Sequence, residues 1–260
     1  MNRASSKLAP LSSLRNIRLE IEYDGKNYCG WQVQARNPRK KSVQEVLEKA
    51  LHKILCEKVT LYASGRTDAG AHAFGQVANF RTRSKILPDK MQLGLNSLLP
   101  DDVSVSRAEV AGDAFHSRFS AKSKIYRYSI LNRRHPSALL RDRSYFYPHT
   151  LNLRLMRQEA CALLGRHDFS AFQAADKAKR PAVRTIKDLR ILKDRDLVHI
   201  EVEADGFLYN MVRNIAGTLV EVGRGRFPKG SLKRILLSRD RKLAGPALPA
   251  KGLFLVKVKY

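Results

Sequence analysis

Residues 59–81 read Val59-Thr60-Leu61-Tyr62-Ala63-Ser64-Gly65-Arg66-Thr67-Asp68-Ala69-Gly70-Ala71-His72-Ala73-Phe74-Gly75-Gln76-Val77-Ala78-Asn79-Phe80-Arg81. The β-branched and aromatic residues at both ends predict two strands, Val59 to Ser64 and Gln76 to Arg81, with Gly65 to Phe74 a loop between them. Thr-Asp-Ala-Gly is ordinary turn chemistry, because Asp and Gly both favour tight turns. Two glycines around Arg66 and Asp68 also make a rigid, small-residue loop that a ligand can approach closely. A loop scaffolded by two strands is a good place for chemistry. From spacing alone, a structural turn and an active-site loop both stay open.

Outward from this loop, Ile17, Leu19, Ile21 and Tyr23 alternate with Arg18, Glu20 and Glu22, the period of a half-buried strand, and Asp24-Gly25 ends it. A basic loop with Arg36, Arg39, Lys40 and Lys41 leads to Ser42 and Glu45, the spacing of a capping box. Val43, Val46, Leu47, Ala50, Leu51, Ile54 and Leu55 then share one helical face. A helix is expected between Pro88 and Pro100 with Met91, Leu95 and Leu98 inward, and strands at Val103 to Val110 and Ile125 to Leu131. The second half predicts a helix from Leu153 to Leu164 stopping at Gly165, strands at Thr185 to Leu192 and Leu197 to Ala204, a long helix from Phe207 to Val222, and a final strand from Leu253 to Val258. Strands and helices mix without strict alternation, which predicts an α+β fold with largely antiparallel sheets. The arginine-rich stretch from Leu131 to Leu151 is the expected seam. The organisation is then a basic tail over 1–16, a first half over 17–131 carrying the Asp68 loop, a connecting segment over 132–150, and a second half over 151–260.

The charge narrows the function classes. Of 260 residues, 49 are Lys or Arg and 24 are Asp or Glu, a formal net charge of +25. A surface so basic repels itself unless a polyanion neutralises it, which points to nucleic acid. An anionic membrane surface is the weaker competitor, since no long amphipathic helix with clustered lysines is evident and no stretch is long and apolar enough to span a bilayer. Cys29, Cys56 and Cys161 show no paired spacing for zinc or a disulfide framework and read as reduced thiols, with Cys56 and Cys161 expected in the core. The first 16 residues carry Arg3, Lys7 and Arg15, four serines and no acid. A disordered basic tail is the expectation, with organellar targeting the minority alternative to a cytoplasmic protein.

Gly65-Arg66-Thr67-Asp68-Ala69-Gly70-Ala71-His72-Ala73 resembles the active-site motif of the TruA family of tRNA pseudouridine synthases. The likeness extends through Tyr23-Asp24-Gly25 with Gly30-Trp31-Gln32-Val33-Gln34, and through Ser42 to Glu48. It continues in Phe115-His116-Ser117-Arg118-Phe119-Ser120-Ala121 with Lys124-Ile125-Tyr126-Arg127-Tyr128, then in Gly165 to Phe172, Phe207 to Asn214, and Ala247 to Leu253. Blocks in this order over nearly the whole chain are far more specific than one loop. The resemblance implies a pseudouridine synthase fold: two α+β halves related by a pseudo-twofold, meeting in a continuous sheet around a central basic cleft. It also implies a homodimer with no metal or organic cofactor, acting on tRNA uridines 38, 39 and 40 of the anticodon stem-loop.

Pseudouridine formation breaks the bond from ribose to uracil N1, turns the base and joins ribose to C5, so it needs a nucleophile and a closed pocket but no redox agent. Asp68 is the catalytic candidate, attacking ribose C1′ or uracil C6 or promoting loss of a ribose proton. An ionised carboxylate in a desolvated pocket requires a guanidinium nearby; the resemblance suggests Arg213, whose alternative is a snorkelling surface arginine. Arg66 is expected to replace the flipped base in the RNA stack or to hold its phosphate. Extruding a base from a stem costs a few kcal/mol that stacking offsets, and Tyr126 is the expected platform, with Tyr128 its rival. Leu208 and Phe207 are candidate apolar walls.

Lys122, Lys124, Arg127, Arg133 and Arg134 form a stretch without an acid, and Arg224 to Lys242 holds eight basic residues against Asp240 alone. Phosphate contacts are expected from Lys122, Lys124, Arg127, Arg224 and Arg226, with a steep salt dependence of RNA affinity. His72 and His116 are expected to bond loop backbone rather than move protons, and His167-Asp168 to form a structural turn. Ala71 stands where the family motif often has a larger apolar residue, and Ser117 where alanine is common; neither removes a reacting group. The rival readings are a non-catalytic RNA-binding protein, which would not need Arg66, Asp68, Tyr126 and Arg213 together, and a metal-dependent nuclease, for which the sequence lacks an evident carboxylate cluster.

Overall fold

The computed structural model describes residues 14–32, 41–174 and 181–260. Residues 1–13 of the basic tail, Arg36, Arg39 and Lys40 of the basic loop, and Val33 and Gln34 lie outside them. The chain is α+β, and its described residues form one large, mostly antiparallel open sheet with five α-helices packed on it. In chain order the strands are β1 (Arg15–Tyr23), β2 (Tyr62–Ala63), β3 (His72–Thr82), β4 (Val103–Ala111), β5 (Ser123–Leu131), β6 (Tyr145–Phe146), β7 (Gly165–Asp168), β8 (Val183–Asp194), β9 (Leu197–Ala204) and β10 (Leu253–Lys259). The helices are α1 (Val43–Leu55), α2 (Pro88–Asn96), α3 (Leu153–Ala160), α4 (Met211–Gly223) and α5 (Ser231–Ser238).

The sheet runs β4-β1-β3-β10-β5-β9-β8-β7, with β2 beside β3 and β6 beside β5. The last strand is the keystone. Phe254 and Leu255 of β10 pair in parallel with His72 and Ala73 of β3, while Leu255 faces Tyr126 of the antiparallel β5. The end of the chain thus joins the strand that leaves the Asp68 loop to the strand that carries Tyr126. β5 lies on the far side of β10 from β3, hydrogen-bonded to β9, although in sequence it precedes the connecting segment.

Alternation was a reliable guide where one strand face is buried. Ile17, Leu19 and Ile21 of β1 are fully buried, as are Val198, Ile200, Val202 and Ala204 of β9. β1 begins at Arg15, inside the expected tail, because Asn16 is buried and its side-chain amide donates to the Gly112 and Phe115 carbonyls. The strand expected over Val59 to Ser64 contracts to two residues, since side chains of α1 occupy the backbone of Leu61: its N–H donates to Glu48 and its carbonyl accepts from Gln44. β3 begins at His72 rather than Gln76, drawn out by its pairing with β10.

Ser42 caps α1 as expected, its hydroxyl accepting the Glu45 N–H at 3.1 Å, while the Glu45 carboxylate accepts from Lys49 at 2.8 Å. Cys56 and Cys161 are exposed, not core. Cys56 is the left-handed residue that ends α1, and Cys161 opens the 3-10 turn after α3, so neither lies on its helix's inward face. Leu98 is also exposed, because α2 ends at Asn96 and the following turn directs Leu99 inward in its place. The long helix starts at Met211, not Phe207. Asn210 adopts the left-handed conformation (φ 59°), which its short polar side chain tolerates, and Leu208 to Met211 form the turn that enters the helix, the Met211 N–H donating to the Leu208 carbonyl at 3.1 Å. None of the helices of the described residues is long and apolar enough to cross a membrane.

Candidate active site

The Asp68 loop is clamped from several sides. Ser64 N–H donates to the Val77 carbonyl at 2.8 Å, and the Gln76 amide donates to the Gly65 carbonyl at 2.9 Å. Tyr23 and Thr67 share a 2.7 Å hydroxyl hydrogen bond, and Trp31 N–H donates to the Thr67 carbonyl at 3.2 Å. Burial pushes the Tyr23 hydroxyl up to about 12 against the lowering effect of Thr67 and Gln76, so it is a neutral structural partner. Gly30 sits at φ +104°, and a β-carbon there would lie 2.6 Å from the Thr67 carbonyl oxygen. A β-carbon on Gly25 would lie 1.9 Å from the Ala71 carbonyl oxygen. The Tyr23-Asp24-Gly25 and Gly30-Trp31 blocks are therefore the wall against which this loop is moulded.

His72 belongs to the same clamp. It is buried, with Nε2 facing the carbonyls of Asp142 (3.0 Å) and Lys251 (3.2 Å), and Nδ1 3.1 Å from the Gly25 amide and 3.0 Å from the Asp24 carboxylate. Arg143 pairs with Asp24 at 2.8 Å and Lys26 with Asp142 at 2.7 Å, so the connecting segment is fastened to the same turn.

Into this frame α4 presents one charged side chain. Every residue of α4 except Arg213 is buried. Arg213 Nη1 lies 3.0 Å from Asp68 Oδ2 and donates to Asn210 Oδ1 at 2.8 Å, while its Nε donates to the Leu248 carbonyl at 2.7 Å. The guanidinium is thus oriented by three acceptors, the geometry a planar fork can satisfy and an ammonium cannot. The side chains of Arg213 and Asp68 keep only 18% and 22% of their exposure, enough to leave the carboxylate reachable. Leu248 stands where it does because the strap from Gly245 to Pro249 presses on α4: a β-carbon on Gly217 would lie 1.8 Å from the Pro246 carbonyl oxygen.

Tyr126 projects from β5 beside this pair, 6% exposed, its ring edge-to-face with Phe207 at 4.8 Å. Burial, and then the nearby Tyr23 and Asp68, push its hydroxyl well above the usual tyrosine range. Among the described residues that hydroxyl has no hydrogen-bond partner. Tyr128, on the same strand face, is fully buried and donates to the Pro249 carbonyl at 2.7 Å, so it is committed to the core. Leu208 is buried near the start of α4 and Phe207 half-buried against Tyr126. Arg66 is exposed at the outer edge of the loop.

The basic residues divide. Lys124 is half-buried with its ammonium beside Gly65; burial, then Arg118 and Arg184, hold it below the usual lysine range. Lys122 is exposed at the start of β5. Arg127 is paired with Glu201 at 2.7 Å. Arg224 and Arg226 lie 3.4 Å from Glu221 at the opposite end of α4 from Arg213, where Arg224 lines a separate cavity with Tyr145, Tyr147 and His149. The structure therefore brings Asp68, Arg213, Tyr126, Leu208, Arg66 and Lys124 to one region and leaves Arg224 and Arg226 away from it. His167 and Asp168 are not a turn but the end of β7, paired with Arg184 and Val183 of β8; His167 Nε2 lies on the Leu164 carbonyl at 2.7 Å and Asp168 accepts from the Ser170 amide at 2.9 Å. Among the described residues no three His, Cys, Asp or Glu side chains converge as a metal-ligand set.

Two supports of the site were not read from sequence: Asn210, and the Leu248 carbonyl. The apolar pattern placed Asn210 inside the helix, although Asn is among the few residues that tolerate the left-handed conformation it adopts.

The sequence model of the tRNA pseudouridine synthase family matches residues 20–120 and 160–260, both the segment that carries Asp68 and the one that carries Arg213. This chain belongs to that family. Proteins named tRNA pseudouridine synthase A from Thermoanaerobacter pseudethanolicus and Acetivibrio thermocellus are each 47% identical to it over 247 residues, 95% of this chain and the whole of each relative. The one from Clostridium acetobutylicum is 45% identical over the same span. The chain is accordingly an isomerase of the tRNA pseudouridine synthase type, and its fold is the family's.

Proposed function

We propose that this synthase converts uridine to pseudouridine in the anticodon stem-loop of tRNA, at positions 38, 39 and 40, with Asp68 as the nucleophile. The observation that carries the proposal is the reachable Asp68 carboxylate, set 3.0 Å from an oriented Arg213 guanidinium beside a buried tyrosine with an uncommitted hydroxyl. In the reaction the ribose C1′–N1 bond breaks, the uracil turns, and a C1′–C5 bond forms. N1 gains a proton and C5 loses one, so the isomerisation balances without a redox partner or cofactor. Asp68 acts by adding to C1′ or C6 or by removing a ribose proton. Arg213 holds the carboxylate's charge and direction, Tyr126 stacks on the extruded uracil, Leu208 closes the apolar side, and Arg66 fills the vacated place in the stem or holds its phosphate. Lys122 and Lys124 contact phosphates from the mouth of the site, and Arg127, Arg224 and Arg226, each beside a carboxylate, contact phosphates with their remaining N–H donors. A homodimer, on the strength of the resemblance, working in the cytoplasm, as the unpaired spacing of the cysteines suggests, completes the reading.

The experiment is to incubate an unmodified tRNA transcript bearing uridines at 38, 39 and 40 with the protein, and to map pseudouridine by carbodiimide modification and primer extension. Stops confined to those positions are expected. Product elsewhere in the tRNA, with none in the anticodon arm, overturns the site assignment.

A further inference from the structure

Beside the Asp68 loop, on the side of β2, an aromatic surface is exposed that no step of the proposed reaction uses. Phe119 is 77% exposed, more than any other aromatic among the described residues. Its ring centroid is 4.5 Å from that of His116, which is 5.3 Å from that of Tyr62, itself 50% exposed. The Arg118 guanidinium lies 5.6 Å from the Phe119 centroid. An exposed run of rings costs free energy in water and in isolation has no structural purpose.

The platform is held in place. The Ser117 hydroxyl donates to the Tyr62 carbonyl, and its amide donates to buried Asn79 at 2.9 Å. His116 Nδ1 accepts the Arg118 amide at 3.1 Å, which turns its Nε2 outward. Tyr62 is the first residue of the strand that runs into Ser64-Gly65-Arg66, so the rings are joined directly to the Asp68 loop. An alanine at 117 could not make the bond to Tyr62.

Next to the rings lies unbalanced positive charge. Lys124 sits with its ammonium about a van der Waals contact from the space over Gly65, near Arg118 and Arg184. Among the described residues none of these three cations meets a carboxylate within ion-pair distance. A half-buried ammonium with two further cations near it calls for an anion, and an anion beside exposed aromatic faces describes a nucleotide.

We propose that Tyr62, His116 and Phe119, with Arg118, Arg184 and Lys124, form a subsite for one unpaired nucleotide of the tRNA strand next to the target uridine, its base on the rings and its phosphate on the cations. The inference rests on the reading that tRNA enters at the Asp68 loop. The subsite gives the synthase a grip on the RNA outside the uracil pocket, and a preference for substrates whose neighbouring base is free to unstack.

The test is the Kd of unmodified tRNA for wild type, Phe119→Ala, Phe119→Trp and Lys124→Ala over a salt series, with single-turnover rates and sedimentation on each variant. Phe119→Ala should weaken binding about tenfold with an unchanged salt slope, and Phe119→Trp should restore it, as stacking requires. Lys124→Ala should lower the salt slope by about one, as loss of a phosphate contact requires. Wild-type Kd and rate for Phe119→Ala overturn the proposal, as does equal weakening by alanine and tryptophan. If Phe119→Ala changes only the oligomeric state, the occupant is a second copy of the chain and the nucleotide assignment fails. A wild type that binds tRNA without forming product, yet loses affinity with Phe119→Ala, refutes the catalytic reading and leaves the subsite standing.

Discussion

Arg213 and Asp68 are 145 residues apart in sequence and 3.0 Å apart in space. Three acceptors, Asp68 Oδ2, Asn210 Oδ1 and the Leu248 carbonyl, fix the guanidinium on an otherwise buried helix. A lysine keeps the charge but cannot reach all three. Arg213→Lys should lower single-turnover kcat/KM roughly a hundredfold, on the scale of one or two charge-assisted hydrogen bonds, and leave tRNA affinity near wild type. Rapid-quench kinetics with filter binding reads both.

Tyr126 separates stacking from proton movement. Its ring is packed against Phe207, while burial raises its hydroxyl further above a tyrosine range that already leaves it protonated at neutral pH. Tyr126→Phe should retain tRNA binding and reduce kcat by about a hundredfold, the lower end for a positioned proton-transfer group. An unchanged kcat would confine Tyr126 to stacking.

Gly25 tests the clamp at a distance from any reacting atom. A methyl group there overlaps the Ala71 carbonyl, which must shift and take the Asp68 loop with it. Gly25→Ala should cut kcat by at least about tenfold, since small misplacements of reacting groups are costly. Gly112, which has nothing within 4 Å of its β-carbon position, is the control, and Gly112→Ala should be silent.

Much of the fold was legible because it is local. Ile17 to Tyr23 and Leu197 to Ala204 each bury one face, so alternation identified them, and Ser42 announced α1. The misreadings arise where a distant partner overrides a local pattern. Glu48 and Gln44 take the backbone of Leu61 and shorten β2; β10 draws β3 back to His72; Asn210 turns left-handed and postpones α4 to Met211. The site divides the same way. Asp68 stood out as a loop residue, but no periodicity joins it to Arg213 or Tyr126, and only the resemblance suggested the group that tertiary contact assembles. Nor does a run of positive charge reveal which members already have a carboxylate beside them, as Arg127, Arg224 and Arg226 do.

Asp168 provides a pH test of stability. Its carboxylate is held below the usual aspartate range first by the Ser170 hydroxyl and also by the Ser170 amide. A depressed folded-state value stabilises the fold above the ordinary aspartate range, and the contribution is lost as pH falls through the folded value. Ser170→Ala should therefore cost about 1–2 kcal/mol at pH 7 and almost nothing near pH 2, read from urea unfolding at both.

The nucleophile is tested most directly by release of tritium from C5 of labelled uridine in unmodified tRNA, under single-turnover conditions, with wild type, Asp68→Ala and Asp68→Asn, and with tRNA binding measured on each. The account predicts release by the wild type alone, with all three proteins binding tRNA comparably. Release by Asp68→Ala at the wild-type rate would contradict it.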